Sequence, residues 1–496
     1  MDAFMFMGEK CMRHSETGKL TTLTTLVPAD SKQEHPFPRR KFLAGLAAGL
    51  GVAAAGVARA VPSTPHNRFV KGGGANYNIW PSGDTSGNTD AFNLQWALDN
   101  IRDQGLVRIK DHDKETGAFL EWDIGPNTVQ IRGGKSVTLI GSGEYGKPVI
   151  RGSCSNALWG AVNGVDYNSG VFHVVAPGQN VMFKNLAIEH RFSPSVNLAD
   201  YTPTLANSGC GRLEVIDCNI STNATSAIPV LGFDCHDVIV QGCTIRGLFG
   251  NFSCVNSGSY GKANLLDYGR FEVRDCDLDS GMFVGVALFG VDSDSTSRIE
   301  VSDNFIGHNP RFDLTPPLAT AAGVMVGGYT SPRGKIRITH NNVRLDTYIQ
   351  DNSVGIMVAT HYDDLDTAIY DNCIAMQHSY KPASLDSRNY FDAISYAELA
   401  PEIGATVRIL GNKLSSAAIP VNRGISLGFD CEFLNGPTTA AHAQVYGNDY
   451  SGLTAIIAKL YLAEGSTKNT VVEPTLDCQD IVNNGEDNDI TGTEIC

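Results

Sequence analysis

The run Thr360-His361-Tyr362-Asp363-Asp364-Leu365-Asp366 packs an imidazole and three carboxylates into seven residues. His361 beside Asp363 and Asp364 is a combination that can take up and return a proton at a reacting bond. The carboxylates can also hold a hard cation such as Ca2+, which takes oxygen ligands. Asp292 and Asp294 repeat the acidic spacing in an earlier turn, and Asp430 follows a comparable strand. The expected catalytic set is therefore His361, Asp363, Asp364, Asp292 and Asp430, and the expected Ca2+ ligands are Asp292, Asp294, Asp363 and Asp366. Each of these also fits a solvated turn, where Asp bonds to nearby main chain. Tyr329 with Arg333 and Lys335 forms a second group in a turn, with cations that could serve as base or charge stabiliser in an elimination or equally be solvated. Tyr380, Tyr390 and Phe391 lie in a long insertion and offer aromatic faces to sugar rings, weighed against packing of that loop onto the strands. Tyr396 falls on an inward alternation and is expected in the core.

These residues are far apart in the chain, so some regular element must bring them together. Between Leu213 and Tyr450 one pattern occurs eight times: apolar, any, apolar, any, any, Asn or Cys, any, apolar. The copies start at Leu213, Val238, Phe271, Ile299, Ile336, Thr367, Val407 and Ala443. Their spacing varies from 25 to 40 residues, which suits a coil with loops of unequal length. Alternation implies a strand with one face inward. The sixth position coincides with a turn, where Asn tolerates left-handed backbone. Stacked coils would then align Asn304, Asn341, Asn372, Asn412 and Asn448 as an internal ladder, with Cys218, Cys243 and Cys276 continuing it as small buried side chains. His340, just before Asn341, is expected to be structural. A second strand recurs downstream of many copies, as in Gly323-Val-Met-Val326, Gly355-Ile-Met-Val358 and Gly424-Ile-Ser-Leu427. Its outward positions, among them Ala287, Met325, Met357, Ala359 and Ser426, form the expected working strip.

The expected fold is all-β, a right-handed parallel β-helix with an N-terminal capping helix and an internal Asn/Cys ladder. It resembles the pectin-lyase-like superfamily from about Asn76 to the C-terminus. Gly83-Asp84-Thr85-Ser86-Gly87-Asn88-Thr89-Asp90 with the following helical run is similar to that superfamily's opening. Ala91, Leu94, Leu98 and Ile101 sit at helical spacing and can close one end of the coil. The sequence divides into a leader over 1–60, a linker and cap over 61–135, the β-helix over 136–455, and final coils or a C-terminal cap over 456–496. The resemblance implies a working surface along one sheet and its flanking loops. The polygalacturonase signature does not transfer: Asn88-Thr89-Asp90 lies in the cap, Arg108-Ile109-Lys110 precedes the main coils, and Gly-His-Gly does not occur.

Arg39-Arg40-Lys41-Phe42-Leu43, a glycine-diluted apolar run and Ala58-Arg59-Ala60 resemble a twin-arginine signal peptide, with Pro38 and Ala44 departing from the usual pattern. Cleavage after Ala60 predicts an exported protein, periplasmic or extracellular. Of the 38 Lys/Arg and 53 Asp/Glu in the chain, residues 1–60 hold eight and five, leaving 30 and 48 and a formal charge of −18. That acidity argues against nucleic acid and anionic membranes as partners. It would also repel a polyanion unless Ca2+ or a local basic patch intervened. Among the 12 cysteines no CxxC occurs, which disfavours a metal site. Cys210 and Cys235 should stack on adjacent coils, and Cys478 and Cys496 are disulfide candidates. The expected protein is an exported monomer that binds a polysaccharide and cleaves it as a lyase or glycoside hydrolase, with Ca2+ as a possible cofactor. The alternative is a non-catalytic secreted or surface protein built on the same rod.

Overall fold

The computed structural model describes residues 68–153, 158–162, 165–168, 170–191, 202–223, 227–258, 267–289, 292–308, 320–327, 332–346, 352–360, 366–377, 391–398, 406–417, 420–428, 430–431 and 436–493. Along parts of some strands it describes the backbone alone. Strands stack in parallel into one continuous 33-stranded sheet system, a parallel β-helix.

The eight copies of the repeat stack in register at their first residue. Leu213 pairs with Val238, Val238 with Phe271, Phe271 with Ile299, Ile299 with Ile336, Ile336 with Thr367, Thr367 with Val407 and Val407 with Ala443. A slip of one residue would send a whole apolar row outward, so burial of one face fixes this register. The residues after the turn stack as a second sheet, in which Ile220, Ile245, Leu278, Ile306, Val343 and Ile374 succeed one another. The Gly-Val-Met-Val segments form a third, running through Val230, Val255, Val286, Val324, Ile356, Ile394, Ile425 and Leu460. The coil contributing Val255 carries a third-sheet strand that the sequence pattern did not single out.

The left-handed residue is the fifth of each copy, not the sixth. Asp217, Gly242, Asp275, Asp303, His340, Asp371, Gly411 and Gly447 all have φ between 52° and 68°. These types tolerate that region, by small size or by local hydrogen bonding of a short polar chain. The turn then carries the sixth side chain into the core. There the amides form the expected ladder: each Nδ2 donates to the Oδ1 of the next coil's Asn, from Asn304 through Asn341, Asn372 and Asn412 to Asn448, over 2.9–3.0 Å. Asn448 Nδ2 in turn donates to Glu473 Oε1 at 2.6 Å, so a buried carboxyl ends the column. Cys218, Cys243 and Cys276 are buried in the same column.

Parallel stacking begins upstream of residue 136. Asn76–Ile79 pairs with Gly105–Ile109, which pairs with Val137–Gly141. Helix α1, Asn88–Asn100, buries Ala91, Leu94 and Leu98, followed by buried Ile101. Gly87 before it has φ 74°, and a Cβ there would come within 2.2 Å of the Gly125 nitrogen. At the other end Ala455–Leu462 and Thr470–Val472 continue the third and first sheets, so residues after 455 form final coils. No helix among the described residues is long and apolar enough to cross a membrane.

Candidate functional site

The strip expected to face a substrate is buried. Ala287, Met325, Met357, Ala359, Ser395 and Ser426 are all out of solvent. Ala393 and Ile394 are consecutive yet both lie in the core, so the inward–outward alternation slips by one at a bend in the third sheet. Gly285, Gly323 and Gly355 on successive coils, then Ala393 and Gly424, stand at this position, and a Cβ on Gly323 would stand 2.4 Å from Val343 Cγ1. Beside the bend the strip holds a closed ion pair instead of an open acid. Arg423 Nε donates to Asp392 Oδ1 at 2.9 Å, Ser395 Oγ donates to Asp392 Oδ2 at 2.9 Å, and the guanidinium lies 5.2 Å from the Tyr461 ring.

His361, Asp363, Asp364, Tyr329, Tyr380 and Tyr390 lie outside the described residues. Asp292 and Asp294 fall in the strand Asp292–Ser302 and Asp430 in Asp430–Cys431, with backbone alone described. These two strands belong to different sheets: the first stacks in the main coil, while the second pairs, among the described residues, with Gly436–Pro437. Three expectations are corrected. Phe391 is 2% exposed within the core and presents no face to a sugar. Arg333 and Lys335 lie in the strand Pro332–Thr339, not in a turn. Asp366, expected to help hold Ca2+, receives the guanidiniums of Arg337 and Arg408 instead. Burial opposes its ionisation, but the two guanidiniums outweigh that and hold its carboxyl below the usual range.

Asp366 belongs to the most charge-rich described surface, the outward face of the first sheet. The position just before each copy runs Arg212, Asp237, Arg270, Arg298, Lys335 and Asp366 on successive coils. The second position adds Glu214, Glu272, Glu300, Arg337 and Arg408 in five of the eight copies, the other three holding Ile239, Ala368 and Gln444. Arg212 Nε donates to Asp237 Oδ2 at 2.9 Å, and Arg270 Nη2 donates to Glu272 Oε1 at 2.7 Å. Arg298 reaches Glu300 directly and approaches Glu272 at 3.9 Å. The Glu272 side chain is only 2% exposed, whereas those of Arg270 and Arg298 are 42% and 56% exposed. The hydrogen bond to Glu272 raises the Arg270 pKa further above its ordinary value. At Arg212, Arg270 and Arg298 the paired carboxylates are thus more buried than the guanidiniums they hold. Coils repeat every 4.7–4.9 Å or so, so Arg270 and Arg298, at one offset on adjacent coils, stand about one strand spacing apart. Guanidiniums suit paired hydroxyls and carboxylates because their donors lie in one rigid plane. This row was legible in principle: its residues recur at two fixed offsets in the repeat, both of them positions where the apolar pattern is silent.

A second surface lies at the N-terminal end. Phe119 and Tyr145 are exposed and meet edge to face, with ring centroids 5.9 Å apart. They are held from below by Asp111, a buried carboxylate that accepts the main-chain N–H groups of Glu144 and Tyr145 at 2.8 and 2.7 Å. Burial of Asp111 raises its pKa, but these donors and His112 outweigh burial and bring it below the usual value. His112 Nδ1 lies 3.2 Å from Asp111 Oδ1, and its Nε2 accepts from Trp80 Nε1 at 3.3 Å. Both ring nitrogens are therefore engaged, and this Asp–His pair positions a loop. No periodic signal marked these aromatics in the sequence. Among the described residues no three His, Cys, Asp or Glu side chains are grouped to hold a metal ion. Comparison with protein-family models, with curated proteins and with solved structures gave no match.

Proposed function

We propose that this chain is an exported β-helical rod that binds a carbohydrate polymer lengthwise along the outward face of its first sheet. The observation that supports the reading is the set of guanidiniums on one face, Arg212, Arg270, Arg298, Arg337 and Arg408, held on carboxylates at two offsets of the repeat. A rod presenting guanidiniums on several of its coils can engage a polymer at several weak points, each within the usual range for an exposed charge-assisted hydrogen bond. Cleavage of the bound polymer would draw on His361, Asp363 and Asp364. The competing reading is a non-catalytic structural rod, and the same ion pairs favour it, because each guanidinium already has a partner within the face.

The test is binding of the chain to neutral and acidic polysaccharides, with and without Ca2+, followed by Arg270→Gln with Arg298→Gln. Because the two arginines hold the buried Glu272 carboxylate, the double variant also carries Glu272→Gln, and circular dichroism checks that its fold is kept. We expect at least one polymer to bind and the double variant to weaken it by about tenfold or more. Binding to none, or binding that ignores the double substitution, would reject this site. Release of reducing ends or unsaturated products, abolished in His361→Ala, would add catalysis to binding.

A further inference from the structure

Cys210 and Cys235 precede the first two copies of the repeat by three residues each and pair in register on adjacent coils. Both are buried, and their Sγ atoms stand 3.2 Å apart, Cys210 donating to Cys235. A disulfide needs Cα atoms about 4.4–6.8 Å apart and sulfurs at about 2.05 Å. Neighbouring parallel strands, roughly 4.8 Å apart, satisfy the first condition without backbone movement. Closing the remaining gap of about 1 Å requires side-chain rotation alone.

We propose that Cys210 and Cys235 form an oxidisable pair that a peroxide converts into a disulfide linking two coils. The sulfur of Cys210, the more exposed of the two at 4% against 0%, attacks one peroxide oxygen. The O–O bond breaks, the sulfur becomes a sulfenic acid, and one water leaves. The sulfur of Cys235 then displaces the sulfenic oxygen as a second water and forms the S–S bond. Two thiols are oxidised and one peroxide is reduced to two waters, with no other reactant.

The neighbouring thiols of the ladder column are occupied differently. Cys243 Sγ donates to the Val215 carbonyl at 3.3 Å and accepts the Cys218 N–H at 3.4 Å, while Cys276 Sγ donates to the Arg274 carbonyl at 3.1 Å. The Cys243 thiol and burial push the Cys218 pKa well above its ordinary value. For Cys243 a lowering contact from Cys218 is outweighed by the Cys276 thiol and burial, which push it up to about 12. A thiol must lose its proton to attack an oxidant, so Cys218 and Cys243 are poor competitors.

The experiment treats the full chain with hydrogen peroxide, denatures it in alkylating reagent, and maps peptides by tandem mass spectrometry against an untreated control. Expected is a cross-link between Cys210 and Cys235, lighter by two hydrogens, with Cys218, Cys243 and Cys276 alkylated. Thermal melting should rise by about 5 °C on oxidation, since the link closes a loop of 25 residues. Cys210→Ser and Cys235→Ser should each abolish the link and that rise while keeping the far-ultraviolet circular dichroism of the parent. Alkylation of both cysteines after peroxide, or a link from either one to a different cysteine, would overturn the proposal.

Discussion

The internal column is built from two materials. Its early coils carry Cys218, Cys243 and Cys276, and its later coils carry Asn304 to Asn448, at one and the same position of the repeat. The thiols imitate the amides: a sulfur accepts the preceding coil's N–H and donates to a carbonyl, as Asn304 does when its Oδ1 accepts the Cys276 N–H at 3.0 Å and its Nδ2 reaches the Val273 carbonyl at 2.8 Å. What the thiols lack is the second donor. An amide bonds the carbonyl and its neighbour at once, so the later coils are cross-tied side chain to side chain, while the early coils rest on packing and weak sulfur contacts.

The largest expected effect breaks the amide half. Asn372→Leu removes the acceptor of the Asn341 main-chain N–H and of one Asn341 Nδ2 hydrogen, whose other hydrogen keeps the Val301 carbonyl, and the side-chain donor of the Ile338 carbonyl. Each buried orphan costs about 1–3 kcal/mol, so a loss of about 4 kcal/mol is expected in chemical denaturation.

Acidity should discriminate next. Burial raises the Glu473 carboxyl at the end of the amide column, and the Glu398 carboxyl in the third sheet, from 4.5 to about 7. Between those values the folded chain binds more protons than the unfolded one, so stability falls as pH rises through the window and stays low above it. A decline of about 3 kcal/mol per group is the upper expectation. Glu473→Gln should flatten the dependence, and a melting temperature that climbs from pH 5 to pH 8 would refute the assignment.

In the thiol half, Cys243→Ala should cost about 1 kcal/mol, because it removes one small apolar contact and no strong donor. Smallest of all, Cys276→Asn should change stability by less than about 1 kcal/mol, since the new amide can donate to Asn304 as its successors do. A loss as large as that of Asn372→Leu would show the two halves to be differently built.

Much of this column could be read in the sequence, because alternation and one fixed turn leave a periodic trace. The strand starts, the Asn ladder and the burial of Cys218, Cys243 and Cys276 follow from it. The left-handed residue was misplaced by one because Asn is suited both to that backbone and to amide bonding. The fifth position, with its Asp, Gly and His, carried the better signal. Glu473 was missed since it breaks the pattern it completes. The surface fared worse for a physical reason: the repeat marks where outward residues fall, but which of them pair is decided by neighbours on other coils. Arg337 and Arg408 converge on Asp366 from either side, which no local spacing announces. Cys210 and Cys235 were expected to stack, and they do. Cys478 is disulfide-bonded, while Cys496 lies outside the described residues.

The carboxyl at the foot of the ladder also gives the stack a direction. Every amide from Asn304 onward hands its proton toward the C-terminus, so the dipoles of five side chains add head to tail. Such a series can be lengthened indefinitely by more asparagines and stopped only by a group that receives without passing on. Glu473 is that group: it accepts from the Asn448 amide and main-chain N–H and from the Tyr450 hydroxyl, and so marks where the amide column ends.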